Sequence, residues 1–146
     1  MSGPTVVVDT SIVVGAKNPT ESEHADCSRL LELAHAHRIR PLLSAISVSE
    51  VCVGYYTEED KSGRQVFLDY VRSASVFELV PVDLHVADEA ARIRAGSGLR
   101  LPDAIIVATG VLGKAECVVT HDLAFGKSRR LLPTSSAKEL VTRLTG

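Results

Sequence analysis

The chain has little of what marks a secreted protein, a membrane protein or one that coats a polyanion. Its three cysteines, Cys27, Cys52 and Cys117, are odd in number and widely separated among apolar residues. That excludes a disulfide framework and leaves buried thiols as the reading. None belongs to a Cys-x-x-Cys pair, and His35 and His37 fall on different faces of one helix, so zinc spacing is missing. Apolar runs such as Val6 to Val8 and Ile105 to Ala108 are short, far below the ~20 residues of a membrane-spanning helix. The opening Met1-Ser2-Gly3-Pro4 has neither a basic region nor a long apolar region behind it, so a cytoplasmic location is expected. An excess of positive charge is absent too: 16 basic against 18 acidic residues give a net charge of −2. A protein that holds polyanions by global charge is thereby disfavoured. A cation held by carboxylates would reverse that sign locally, so the charge balance alone decides little. Internal repeats and low-complexity segments are also lacking.

What is present is enough for one core. A chain of 146 residues with 45% hydrophobic content matches a single domain over residues 1–146. Thr5-Val6-Val7-Val8 reads as a strand buried on both faces and ending at Asp9. Residues 21–38 carry Leu30, Leu31 and Ala34 at helical spacing, and a strand is expected over residues 40–43. Ser44 can cap a mostly apolar helix that ends near Gly54 and whose only charge is Glu50. An amphipathic helix over residues 61–72, a strand over 76–82 and a helix capped by Asp83 and stopped at Gly96-Ser97-Gly98 follow. Pro102 suits a first helical position for residues 103–112, whose near absence of polarity predicts burial. Residues 117–120 give the last clear strand and 136–144 a closing helix. Strands that alternate with helices indicate parallel pairing, hence a three-layer α/β/α sandwich. Ligands of such sheets bind beyond the carboxyl ends of the strands, where Asp9 and Asp122 fall.

Four acids stand where neither an ordinary core nor a surface requires them: Asp9, Glu50, Asp103 and Asp122. Each alone has a plainer role. Asp9 and Asp122 can cap the helices that follow their strands, Asp103 can satisfy first-turn amides, and Glu50 can pair with an arginine. Together they repel one another by about 4 kcal/mol per pair at ~4 Å and an effective dielectric near 20. Magnesium or manganese would offset this, because hard cations prefer carboxylate oxygen and water. Ions so held polarise water and stabilise charge on a phosphodiester, so the expected reaction is phosphodiester hydrolysis. Thr10, Ser11 and Thr120 adjoin the acids and can either orient water there or serve as caps and turn residues.

At these residues the sequence resembles the PIN-domain family, and more narrowly its VapC-type toxins, over nearly the whole chain. Val6-Val7-Val8-Asp9-Thr10-Ser11 looks like the first acidic motif of the family, and Ser47-Val48-Ser49-Glu50-Val51 like the second. Leu101-Pro102-Asp103-Ala104-Ile105-Ile106-Val107-Ala108-Thr109 is close to the Asp-Ala-x-Ile-Ala-Ala run, and Val118-Val119-Thr120-His121-Asp122 is similar to the fourth motif. His121 stands where the family often has Asn and is read as a loop residue rather than a general acid. The resemblance implies a PIN-like fold and a magnesium- or manganese-dependent ribonuclease with Asp9, Glu50, Asp103 and Asp122 as metal ligands. It also implies an RNA substrate, a homodimer and an antitoxin that covers the acidic groove.

Lys127, Arg129 and Arg130 follow Asp122 closely, where they can contact phosphates or lie on a solvated surface. Tyr55 and Tyr56 are read as packing residues rather than base-stacking ones. A haloacid-dehalogenase-like phosphatase needs a second Asp where Ser11 stands, and a receiver-type phosphoacceptor needs adjacent acids beside Asp9. The remaining alternative is a PIN fold that keeps the pocket and acts as a catalytically silent binding or scaffold module.

Overall fold

The computed structural model describes residues 3–73 and 76–146, so Met1-Ser2 at the start of the expected leaderless N-terminus lies outside the described residues. The chain runs β1 (Thr5–Val8), α1 (Thr10–Lys17), α2 (His24–His35), β2 (Arg40–Ser44), α3 (Ala45–Thr57), α4 (Lys61–Arg72) and β3 (Glu78–Val80). It continues through α5 (Leu84–Ser97), α6 (Leu101–Leu112), β4 (Val118–Val119), a 3-10 helix (Leu123–Ser128), β5 (Thr134–Ser135) and α7 (Ala137–Thr145). The strands form one sheet in the order β3-β2-β1-β4-β5, and every pairing is parallel. The expected α/β/α sandwich is therefore the fold.

Period-two alternation explains the two cores. Val6 and Val8 of β1, Leu43 of β2 and Val119 of β4 point into one layer with α1, α2, α4 and α7 residues such as Ile12, Leu30, Phe67 and Leu140. Val7, Leu42 and Val118 point the other way, toward Ile93 of α5 and Ala104, Ile106 and Val107 of α6. Both faces of the sheet are covered, which is why these strands are continuously apolar rather than alternating. Helix α6 is buried along most of its length, as its composition predicts, and Thr109 inside it satisfies its hydroxyl on the Ile105 carbonyl at 2.8 Å.

Several boundaries differ from the sequence reading for local reasons. The helix expected over residues 21–38 starts only at His24, behind a turn in which Asn18 accepts both the Thr20 amide and hydroxyl. It ends at His35, because His37 has a positive φ of 57°. Helix α3 passes Gly54 and stops at Thr57, with Glu59 at φ 54° closing the turn. The strand expected over residues 76–82 pairs only over Glu78–Val80, while Val76 and Phe77 are buried as core residues without joining it. The strand expected over 117–120 narrows to Val118–Val119. Strand β5 has no counterpart in the sequence reading, and α1 and the 3-10 helix figured there only as the unbounded helices that Asp9 and Asp122 can cap. Among the described residues no single helix is long and apolar enough to cross a membrane.

Candidate active site

Strand order reverses direction beside β1: β2 and β3 lie on one side, β4 and β5 on the other. Such a switch point opens a crevice at the carboxyl ends of the central strands. Asp9 and Thr120 occupy it, one residue beyond β1 and one beyond β4. Continuing the alternation past each strand turns both side chains toward α6, and the Thr120 hydroxyl donates to Asp9 Oδ2 at 2.8 Å. The same oxygen accepts from Ser11 Oγ at 2.8 Å, while Oδ1 accepts the Thr10 amide at 2.7 Å and caps α1. Three of roughly four acceptor sites of the carboxylate are thus filled by protein donors, which fix its orientation at 5% exposure.

Glu50 reaches this crevice from the middle of α3. Thr10 Oγ1 lies 2.7 Å from Glu50 Oε1 and 2.9 Å from Ser47 Oγ. With a single proton, Thr10 donates to the carboxylate and accepts from Ser47. The partner of Glu50 is therefore a hydroxyl of α1, not the arginine that a structural role would supply. Ser47, one turn before Glu50 and 1% exposed, belongs to this relay although nothing but its place in the second motif singled it out.

Asp103 sits in the first turn of α6 at 3% exposure. Burial pushes its carboxyl above the usual range; Arg100 pulls it back, and the charges of Asp9 and Asp122 add to the rise. Arg100, whose side chain is 70% exposed, lays Nε and Nη2 on the two Asp103 oxygens at 3.3 and 3.4 Å. Its own pKa is raised, first by that hydrogen bond and then by the charges of Asp103, Glu50 and Asp122. Arg100 is therefore the protein's own counter-charge to the acidic group, and it was missed in sequence because an i,i+3 ion pair looks like any solvated helix start.

Asp122 is exposed and follows β4; its Oδ1 accepts the Ala124 amide at 2.9 Å and caps the 3-10 helix, and its own amide donates to Thr120 Oγ1 at 2.9 Å. The capping roles of Asp9 and Asp122 are thus real, and the charges of both still push the Asp103 carboxyl upward. The His121 amide donates to Ser11 Oγ at 3.2 Å, while its ring accepts from the Ala137 amide at 3.4 Å. The ring thereby turns to the start of α7. Lys127, Arg129 and Arg130 are exposed; Arg129 borders a cavity of about 490 Å³ that also holds Thr120 and Asp122.

Among the described residues, no three His, Cys, Asp or Glu side chains stand close enough to enclose an ion as they are. The donors that converge are carboxylate and hydroxyl oxygens, which suits a hard divalent cation and not zinc. A buried Asp103 whose main cationic contact is a long one to an exposed arginine fits a site that exchanges that arginine for an ion.

Comparison with curated protein sequences gives no match. Solved structures do match in fold. A toxin–antitoxin complex from Klebsiella pneumoniae superposes with a TM-score of 0.66 at 23% identity, over 90% of this chain and 97% of that one. VapBC2 from Rickettsia felis, bound to a DNA fragment of its promoter, gives 0.71 at 20% identity over 90% and 98%. VapC20 from Mycobacterium tuberculosis, a toxin that cleaves the sarcin–ricin loop, gives 0.68 at 17% identity over 84% and 94%. A family model for the PIN domain matches residues 6–131, a span that contains every acid described above, and the chain belongs to the PIN-domain family.

Proposed function

We propose that this protein is a magnesium- or manganese-dependent endoribonuclease and the toxin of a toxin–antitoxin pair, acting in the cytoplasm. One observation carries the catalytic reading: a buried carboxylate, Asp103, bears the added charge of Asp9 and Asp122 and is countered by a solvent-exposed arginine. Such an arrangement costs stability without serving the core, and it has a use if a cation is to be received there.

Asp9, Glu50, Asp103 and Asp122 would hold the ion. When bound, it supplies Lewis-acid polarisation of water and of a phosphate oxygen. The chain's own part is orientation. Thr120 and Ser11 fix Asp9 Oδ2, and Thr10 fixes Glu50 Oε1. Ser47 in turn holds Thr10, so α1 and α3 keep two acids in register. The structural neighbours from Klebsiella, Rickettsia and Mycobacterium support the wider reading: two are toxin–antitoxin assemblies and one is a toxin that cleaves the sarcin–ricin loop. For this chain they support an antitoxin as partner, while RNA as substrate and a homodimer as the working form rest on the resemblance to the PIN-type toxins.

The test is cleavage of a pool of structured cellular RNAs by wild type and Asp9→Asn, with magnesium, manganese or chelator. Cuts that need both metal and Asp9 are expected, with a loss beyond the roughly 10–100-fold that removal of a mere supporting partner produces. A well-folded wild type that binds RNA and never cuts it would leave the silent binding module as the better account.

A further inference from the structure

The larger of the two cavities beside the 3-10 helix lies outside the acidic crevice and has a different character. It measures about 600 Å³ and opens between the second half of α5 and the segment after Asp122, within the range of ligand pockets. Arg92, Lys127, Arg129 and Arg130 line it, and no acid does. Arg92 is committed elsewhere, since its fork grips Glu89 at 2.7 and 2.8 Å. The other three are not: among the described residues no carboxylate lies within ion-pair distance of Lys127, Arg129 or Arg130. Three uncompensated cations within four residues of a chain whose net charge is −2 make a local anion-attracting surface.

Its position gives that surface a direction. Leu123, Gly126 and Arg129 line this cavity and also the one that contains Thr120 and Asp122. The two therefore adjoin along Leu123, an apolar side chain 95% exposed, and of the four acids Asp122 lines the second cavity. The floor is open as well: a Cβ built on Gly96 or Gly126 meets no atom within 4 Å, so a ligand can approach the backbone there.

We infer that the pocket formed by Lys127, Arg129 and Arg130 against α5 is a second phosphate subsite, which holds a backbone phosphate of the RNA flanking the one at the acidic crevice, beyond the Leu123 ridge. This rests on the ribonuclease reading for the identity of the strand. The contacts are to phosphate, so they set position and register and read no base.

Binding of a fluorescent single-stranded RNA separates this from the nuclease reading. Anisotropy titrations over a salt series use the Asp9→Asn protein, so that cleavage does not intervene. Adding Lys127→Gln, Arg129→Gln and Arg130→Gln together should raise Kd about tenfold or more, and flatten the salt slope by about 2, since each lost phosphate contact on a single strand contributes ~0.7. A matched triple change at Arg29, Lys61 and Arg72, exposed on the opposite helical layer, lowers the net charge equally and should leave Kd within about twofold. Gly96→Glu is the second probe: it places a carboxylate in the pocket, improves helix propensity, and should weaken binding while the protein melts no lower than wild type. If both triple variants weaken binding alike, or Gly96→Glu binds normally, the subsite is overturned. Wild-type cleavage, assayed separately, then reports the nuclease reading on its own: cutting with pocket-independent binding removes the subsite only, and pocket-dependent binding without cutting removes the nuclease only.

Discussion

Among the described residues, Thr10 is the side chain whose hydrogen bonds join α1 to α3 at the acids, and its replacement separates geometry from charge. Thr10→Val keeps the shape, leaves Glu50 Oε1 without a donor and the buried Ser47 hydroxyl without its acceptor. A loss of about 1–3 kcal/mol is expected from the stranded polar groups, read by urea unfolding, together with reduced RNA cleavage; Thr10→Ser should restore both. Arg100 behaves differently. As an exposed, solvent-screened partner it contributes little to stability, but it occupies the Asp103 oxygens that an ion would take. Arg100→Gln should therefore bind manganese more tightly by calorimetry, and weaker binding would sink the idea that the arginine competes with metal. Asp103 itself links the site to pH. Burial, ahead of the opposing pull of Arg100, sets its folded pKa above the unfolded one, so its charge is a cost at neutral pH. That cost disappears as pH falls through the raised value toward the ordinary carboxylate range. In metal-free buffer, Asp103→Asn should melt above wild type at neutral pH, with the gap closing near pH ~4; a gap that does not change with pH would contradict this. Asp9 and Glu50 were legible as residues because each is a charge inside an apolar run. Arg100 and Ser47 were not, because their roles come from side chains 3 residues along an exposed turn and 37 residues away, which no local pattern encodes.

At the level of elements, α6 sets the distance between Asp103 and the sheet. Gly110 makes this possible: a Cβ there would lie 2.7 Å from Val7 Cγ1 and 2.7 Å from Leu132 Cδ2. Val7 belongs to the central strand and is stiff at χ1, so α6 would have to move. Gly54, on the exposed side of α3, has open space at the same position. The same substitution should thus act in opposite directions. Gly54→Ala should stabilise by about 0.5–1 kcal/mol, and Gly110→Ala should destabilise, because overpacking of about 1–3 kcal/mol outweighs the helical gain. Thermal unfolding decides, and equal signs would refute the packing account. The long periodic helices and the β-branched central strands could be read from residue pattern alone. Strand β5 could not: Thr134 and Ser135 are two polar residues, and their pairing with β4 is imposed by the edge that β4 offers. Helix α1 was legible only through the Asp9 cap, since Ile12-Val13-Val14 otherwise continues the β-branched run of β1 and hides its extent.

Seen whole, the molecule draws its acids from positions 9, 50, 103 and 122, spread over most of the chain. They meet because β1 is central, paired with β2 on one side and with β4 on the other. The sandwich class was legible from alternation of elements, whereas the order of the strands follows from packing and not from any single segment. Because β1 pairs with β4 across a separation of more than one hundred residues, closing the sheet on that side must bring together distant parts of the chain. That arrangement also imposes an order in time. A chain emerging from the ribosome presents Asp9 first and must hold it idle, with β1 lacking its β4 neighbour, until the segment carrying Thr120 and Asp122 has been made and has docked. The acidic crevice is thus incomplete throughout synthesis, and a product truncated before β4 would lack both Thr120 and Asp122.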